Sequence, residues 1–267
     1  MPNPKTKSTA SAPVNDKKKY SAPALEKGLQ ILETIAAVNE PLGPTAIAKL
    51  VGRNNNEIVR LLYVLEDMGF IERDARSTGY QITSRLFTIA SARPATRSML
   101  EVALPLMRDL AASISQSCHI SVRTETKIVV IGRVEAHRGM SLSVRVGHNR
   151  SIIGSASGTI LFGFLKKNQK AKVLNRLNKT SSDEEVSAFI DRAELAFERG
   201  FEKRPNNLLQ GIKDYSVPVF RSGSIGAALT TPFVPLVDSE LTEDSLVSQM
   251  KETADRISAL IPPNEDY

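Results

Sequence analysis

At 267 residues the chain is too long for one small module and suits two domains. Its 41% hydrophobic content can fill cores of that size, no apolar run approaches the roughly 18–20 residues of a membrane span, and a single cysteine, Cys118, excludes an internal disulfide and fits a reducing cytoplasm. The net charge of +6 is unevenly spread: residues 1–23 hold five Lys against one Asp, whereas 24–93 hold eight basic and eight acidic residues.

Residues 1–22 are rich in Lys, Pro, Ser and Asn and almost lack large apolar side chains, which predicts a disordered basic tail. Beside a DNA-reading element such an arm adds salt-sensitive attraction to phosphates; otherwise it is a solvated leader. No apolar h-region of a signal peptide is present, so a cytoplasmic protein is expected.

A helix is predicted over 23–39, with Leu25, Leu29, Leu32 and Ile35 as its buried stripe. The stretch 43–82, GPTAIAKLVGRNNNEIVRLLYVLEDMGFIERDARSTGYQI, organises the chain. Pro44 suits the first position of a short helix, because its missing N–H has no helical partner there. Ala46, Ile47 and Leu50 give that helix an apolar stripe, and Gly52 fits the turn that follows. Asn54 can cap the next helix, with Glu57 three residues on completing a capping box. Ile58, Leu61, Leu62 and Leu65 must face a core. Gly69 ends the helix, and 71–73 and 80–83 read as a hairpin around 74–79.

Residues 23–92 therefore read as a winged helix-turn-helix, a unit that sets one helix in the major groove of double-stranded DNA. Candidate DNA contacts are Thr45 and Arg53, then Asn55, Asn56, Val59, Arg60 and Tyr63 on the outer face of the long helix, and Arg76, Ser77 and Thr78 on the wing. The bland alternative is a helical hairpin with a solvated polar face.

Residues 93–117 are predicted to be a linker helix. Met99, Ala103, Leu106, Leu110 and Ile114 recur at helical spacing, and Pro105 should kink or divide it. From 118 to 262 strands are predicted at 119–124, 127–134, 140–146, 201–203, 215–220 and 225–231, and helices at 158–165, 168–177, 182–200 and 239–260, an α+β domain. Ser182 with Glu185 marks a capping box and Gly200 a helix end.

Catalytic signatures fail. GSASG at 154–158 has Ala156 where a nucleophile elbow needs serine, and no Asp and His follow in a suitable order. It reads instead as small residues opening a helix, where N–H groups near Ser155, Ala156, Ser157 and Gly158 can hold a carboxylate. Cys118, His119, His137 and His148 match no metal-ligand spacing, and adjacent strand residues point to opposite faces. No phosphate- or dinucleotide-binding fingerprint is present, so no cofactor is expected.

The segments ALEKGLQILETIA, LGPTAIAKLVG, EIVRLLYVLEDMGFIERD, GYQIT, SRLFTIASA, EVALPLMRDLAASISQSCHISV, VGHNRSIIGSASGTILFGFL and ERGFEKRPNNLLQGIKDYSVPVF follow one another as in the IclR family of bacterial transcriptional regulators, which the chain resembles from about 22 to 261. The resemblance implies a GAF-like effector-binding domain and a homodimer or dimer of dimers sharing the linker helix. It further implies a ligand-responsive repressor or activator of catabolic genes, not an enzyme and not a membrane protein. It also implies an effector pocket that includes Arg204, Asp214 and Thr230 with the Gly154 loop; Leu142, Ile153 and Phe220 are its expected apolar lining. The family commonly has Leu-Pro at Arg53-Asn54 and Lys/Arg-Ser-Thr at 55–57, so its operator preference does not carry over. It usually has Gly-Lys at Gly158-Thr159 and acidic residues near 204–207; Arg204 stands there instead and favours an anion, a small organic acid. The competing reading is an enzyme built on the C-terminal domain with an accessory DNA-binding domain; a third, a purely architectural DNA binder, would lack a ligand-sized pocket.

Overall fold

The computed structural model describes residues 21–38, 40–91, 94–136, 141–206, 209–235 and 240–262, leaving aside the side chains of 90–98. It divides into one unit through Ala92 and another from Arg93. Nearly all of the expected disordered tail lies outside the described residues. Among the described residues no helix is long and apolar enough to cross a membrane.

The first unit contains α1 (Pro23–Ala36), α2 (Pro44–Val51), α3 (Asn55–Asp67), an antiparallel hairpin of β1 (Ile71–Arg73) and β2 (Tyr80–Ile82), and α4 (Arg85–Ser91). Ile31, Leu32 and Ile35 of α1 meet Ile47, Ala48 and Val51 of α2 and Ile58, Leu62 and Leu65 of α3. Ile71 and Tyr80 close this core from the hairpin. Gly52 turns the chain at φ +67° between α2 and α3, a conformation that side chains disfavour. Leu42 pairs with Tyr80 across the base of the wing.

Four local expectations are corrected here. Leu25 and Leu29 are 63% and 52% exposed, because α1 turns its 28–31–32–35 face inward and leaves them on the flank. In α2 the buried face is Ile47, Ala48 and Val51, so Ala46 and Leu50 are exposed. Asn54 caps α3 by accepting from the Asn56 N–H at 3.0 Å, but Glu57 does not return to complete a box; it forms an ion pair with Lys27 of α1. The first helix ends at Ala36, and Asn39 lies outside the described residues.

The second unit is a six-stranded antiparallel sheet between two helical layers. Its strands are β3 (Cys118–Thr124), β4 (Lys127–Val134), β5 (Asn149–Ser151), β6 (Glu202–Pro205), β7 (Lys213–Arg221) and β8 (Ser224–Phe233), in the order β5-β4-β3-β8-β7-β6. One face carries Cys118, Ile120, Tyr215, Val217, Val219 and Leu229 against α5 (Pro94–Ile114) and α9 (Glu243–Leu260). The other meets α6 (Ala156–Gly163), α7 (Lys167–Leu177) and α8 (Asp183–Arg199) through Ile128, Val130 and Ala228. The α+β expectation therefore holds. The Ser182–Glu185 capping box opens α8, and Gly200 at φ +73° closes it.

Helix α5 runs through Pro105 without dividing; one missing N–H is tolerated because Ala103, Leu106, Met107 and Leu110 around it are buried. The strand predicted at 140–146 is absent over its described part, 141–146. The outer edge of β4 is occupied instead by the loop at 147–148 and by β5: Val130 N–H donates to the His148 carbonyl at 3.0 Å, and Asn149, Arg150 and Ser151 pair with Val129, Ile128 and Lys127. Helix α6 starts at Ala156, two residues before the expected 158, because Ser155 caps it by accepting from the Gly158 N–H at 3.1 Å.

Candidate nucleic-acid interface and ligand cavity

The buried side of α3 fixes the helix on α1 and α2, and this leaves Asn55, Asn56, Val59, Arg60 and Tyr63 exposed together on the outer side. Thr45 at the start of α2 and Arg53 in the turn are also exposed. So are Arg76, Ser77 and Thr78 at the hairpin tip. Asp74 shapes that tip by accepting from the backbone N–H groups of Arg76 and Ser77 and from the Ser77 hydroxyl, while Thr78 takes a positive φ of 53°. The carboxylate of Glu57 lies beside the outer face, and its hydrogen bond with Lys27 holds it below the usual carboxylate range. That charge is answered within the protein and offers phosphates little repulsion. Arg73 pairs with Glu66 at 3.3 Å and lies over the Tyr80 ring, so it braces the hairpin.

In the second unit, strand alternation sorts side chains between the two faces of the sheet. Cys118 and Ile120 enter the α5–α9 core, and burial pushes the Cys118 thiol up to about 12. His119 therefore points to the α6 side. By the same alternation Tyr215 and Leu229 face α5–α9, while Asp214, Ser216 and Thr230 face α6. The registers His119↔Thr230 and Thr230↔Ser216 set these three side by side across β3, β8 and β7, and the Ser216 and Thr230 hydroxyls are 2.8 Å apart.

A cavity of about 250 Å3 lies over this polar row. The sheet supplies Ile128, Val130, His119, Thr230, Asp214 and Pro232; the start of α6 supplies Ser155, Ala156 and Ser157. The wall is made by Leu142, Ser143, Val144, Arg145, His148 and Arg150, with Asn206 and Leu209 near Asp214. Arg150 donates to the Gly154 carbonyl at 2.5 Å, which holds its guanidinium beside the first turn of α6. Within that turn Ser155 takes the Gly158 N–H and the Ile152 carbonyl takes the Ser155 N–H, so only Ala156 and Ser157 offer backbone donors. Burial raises the carboxyl of Asp214, against the hydrogen bond from Asn206 at 2.9 Å and the charges of Arg150 and Arg204.

Six of the sequence candidates share this cavity: Leu142, Ser155, Ala156, Ser157, Asp214 and Thr230. Four others sit elsewhere. Gly158 is pressed against the backbone of Ile152, and Gly154 contributes its carbonyl to Arg150. Phe220 packs edge-on against Phe164. Arg204 donates to the Ile153 carbonyl at 3.2 Å and lines a separate cleft with Ile153 and Arg192. The cavity instead draws its cations from Arg145 and Arg150, and His119 joins its polar lining from β3. Among the described residues no three His, Cys, Asp or Glu side chains are placed to hold a metal; His137 lies outside them.

Burial, with His148 adding to the effect, pushes the His119 imidazole down to about 4 from its ordinary 6.5. Between these pH values the unfolded chain binds a proton that the folded chain does not. Stability is therefore undiminished above pH 6.5, falls as pH drops toward 4, and loses about 3 kcal/mol to this group. His119→Gln should remove that part of the loss, read as the change in urea midpoint between pH 7 and pH 4.5. An unchanged pH dependence would refute the assignment.

Comparison with known proteins places these features in context. The family described as "IclR helix-turn-helix domain" matches residues 24–75, and "Bacterial transcriptional regulator IclR C-terminal" matches residues 95–259. The chain is 22% identical over 251 residues to the HTH-type transcriptional regulator KdgR of Dickeya chrysanthemi, covering 91% of this chain and 81% of the relative. It is 25% identical over 232 residues to the probable transcriptional regulator SauR of Cupriavidus necator, covering 85% and 91%. The structure of an IclR homolog from Microbacterium hydrocarbonoxydans, complexed with 4-hydroxybenzoate, superposes with a TM-score of 0.74 at 19% identity over 89% of this chain and 98% of that one.

Proposed function

The chain belongs to the IclR family of bacterial transcriptional regulators, and from that premise we propose that it binds a palindromic operator as a dimer and answers to a small organic acid held in the cavity of its second unit. Membership itself makes it a DNA-binding transcriptional regulator; the site residues, the assembly and the ligand are the proposal. On this reading it works in the cytoplasm and controls genes for catabolism of its effector, and its domains fulfil no catalytic role.

The observation that carries the DNA reading is the shared exposure of Asn55, Asn56, Val59, Arg60 and Tyr63 on one side of a helix whose other side is locked in a core. Asn pairs bidentately with adenine in the major groove, Arg with guanine, and an apolar side chain such as Val59 suits a thymine methyl. Arg53, Thr45 and the wing residues Arg76, Ser77 and Thr78 are suited to the phosphate backbone or minor groove. Residues 24–93 carry no net charge, so one winged unit gains little from long-range attraction. Two linked copies on two half-sites supply the affinity instead.

For the ligand, a 250 Å3 cavity with an apolar wall and a few convergent polar groups suits a molecule below drug size. Arg150 and the N–H groups of Ala156 and Ser157 favour a carboxylate. The Microbacterium homolog complexed with 4-hydroxybenzoate supports an acid as the class of ligand.

The test uses a site selected from random DNA. Asn56→Ala should cost about 1–3 kcal/mol on that site and relax one base preference, while Arg76→Ala should weaken all DNA alike and reduce the salt slope by about one. Binding should saturate at two chains per palindrome. Equal losses on selected and random DNA for Asn56→Ala, or one chain per site, would contradict the reading.

A further inference from the structure

His119 lines the cavity, and its imidazole has no hydrogen-bond partner among the described residues. It is 7% exposed. Its strand neighbours explain the isolation. Thr230, opposite it in register, is already committed to Ser216, and Ser121, the next residue on the same face, has no hydrogen-bond partner for its own hydroxyl. Among the described residues the fully enclosed polar atoms left unmatched are those of Ser121, Arg204, Tyr215 and Thr231, not His119, so its ring nitrogens open on the cavity, where a ligand can bond them. The imidazole stays neutral at neutral pH, so it offers one donor and one acceptor.

The carboxylate-favouring groups are elsewhere in the cavity. Arg150 and the first turn of α6 form the wall, and Ile128 and Val130 supply apolar sheet surface beside His119. An acid seated with its carboxylate at α6 and its carbon skeleton on that surface can present a second polar group to the imidazole.

We propose that His119 is the specificity-determining residue of this cavity and that the ligand is a small acid carrying a second hydrogen-bonding group, a hydroxy or oxo acid, in preference to a plain monocarboxylate. This rests on the acid reading of the cavity given above. A neutral imidazole suits a hydroxyl, which accepts and donates, or a keto oxygen, which accepts. The discrimination arises as it does wherever a site is built to bond a substrate hydroxyl: the analogue lacking that group leaves the buried partner unmatched.

Matched pairs test it by calorimetry on the full chain: propionate against lactate and pyruvate, benzoate against 3- and 4-hydroxybenzoate. In the wild type at least one hydroxy or oxo acid should bind at least tenfold more tightly than its plain partner. His119→Leu should abolish that ratio by weakening the favoured acid, and His119→Gln, which keeps a donor and an acceptor, should retain most of it. The chain has three histidines, so its imidazole spectrum is simple. The signal absent from His119→Gln should shift in the wild type with the favoured acid and stay in place with its plain partner, which decides the matter even if the leucine variant does not fold. A ratio that survives in His119→Leu, or plain acids binding as tightly as their partners, overturns the assignment while leaving an acid-binding cavity intact. If no acid of either kind binds the wild type, the acid reading fails and the inference fails with it.

Discussion

Gly158→Ala is expected to destabilise the second unit by about 3–5 kcal/mol, at the upper end of what single substitutions do. A Cβ at this position would stand 2.2 Å from the Ile152 carbonyl oxygen, 2.5 Å from its Cα and 2.6 Å from the Ser155 hydroxyl. The first two are backbone atoms and cannot swing aside. Moving α6 away is equally costly, because all eight of its residues are buried. The shift would also break the Ser155 cap, a contribution of about 1 kcal/mol, and would prise Ile160 from the core that it shares with Ile152. The check is the urea midpoint, with Gly28→Ala as control: a Cβ there meets nothing within 4 Å, and the helix interior should gain about 0.5–1 kcal/mol. A Gly158→Ala midpoint within error of wild type would show that the start of α6 is not pinned as described.

What could be read from the sequence depended on whether the deciding contacts were local. The turn at Gly52, the cap at Asn54, the hairpin at 71–82 and the Ser182–Glu185 box are set by neighbours within a few residues, and the structure has them where the spacing put them, but for the return arm of Glu57. That arm was lost to Lys27, thirty residues away. Helical periodicity shows that α1 and α2 have apolar stripes but not which edge of each meets a neighbour, so Leu25, Leu29 and Leu50 fall within the predicted stripes yet lie outside the core.

The cavity was legible in part. Ser155, Ala156 and Ser157 announce themselves as small residues at a helix start, whereas the choice between Arg204 and Arg150 depends on sheet order. Arg204 sits on the far edge strand β6, and Arg150 is brought to the cavity by β5 pairing with β4. His119 could have been found from one signal. It is a polar residue in the strand CHISV beside a cysteine whose side chain must point the other way, so one of the pair lies in a core and the other on the opposite face of a covered sheet.

Ala156→Leu should abolish the response to ligand while leaving DNA binding within about threefold of wild type. Ala156 is buried at the start of α6 and lines the cavity between Ser155 and Ser157, beside the Arg150 guanidinium. A leucine there projects three more carbons into a space of about 250 Å3, where the carboxylate and its backbone donors must meet. Its backbone conformation is helical and suits leucine, so the substitution consumes cavity instead of straining the helix. The DNA-reading side chains belong to the other unit, whose core contains no residue of this one. Loss of response follows because a ligand shifts a two-state equilibrium only by its differential affinity for the two states; when binding is blocked that difference vanishes, and the unliganded equilibrium is left as it was. The measurement is fluorescence anisotropy of the selected operator with increasing protein, with and without a saturating amount of the acid that calorimetry identifies. Wild type should shift its midpoint on adding the acid, and Ala156→Leu should show one curve under both conditions, superposed on unliganded wild type. A variant that still shifts as wild type does would place the effector outside this cavity.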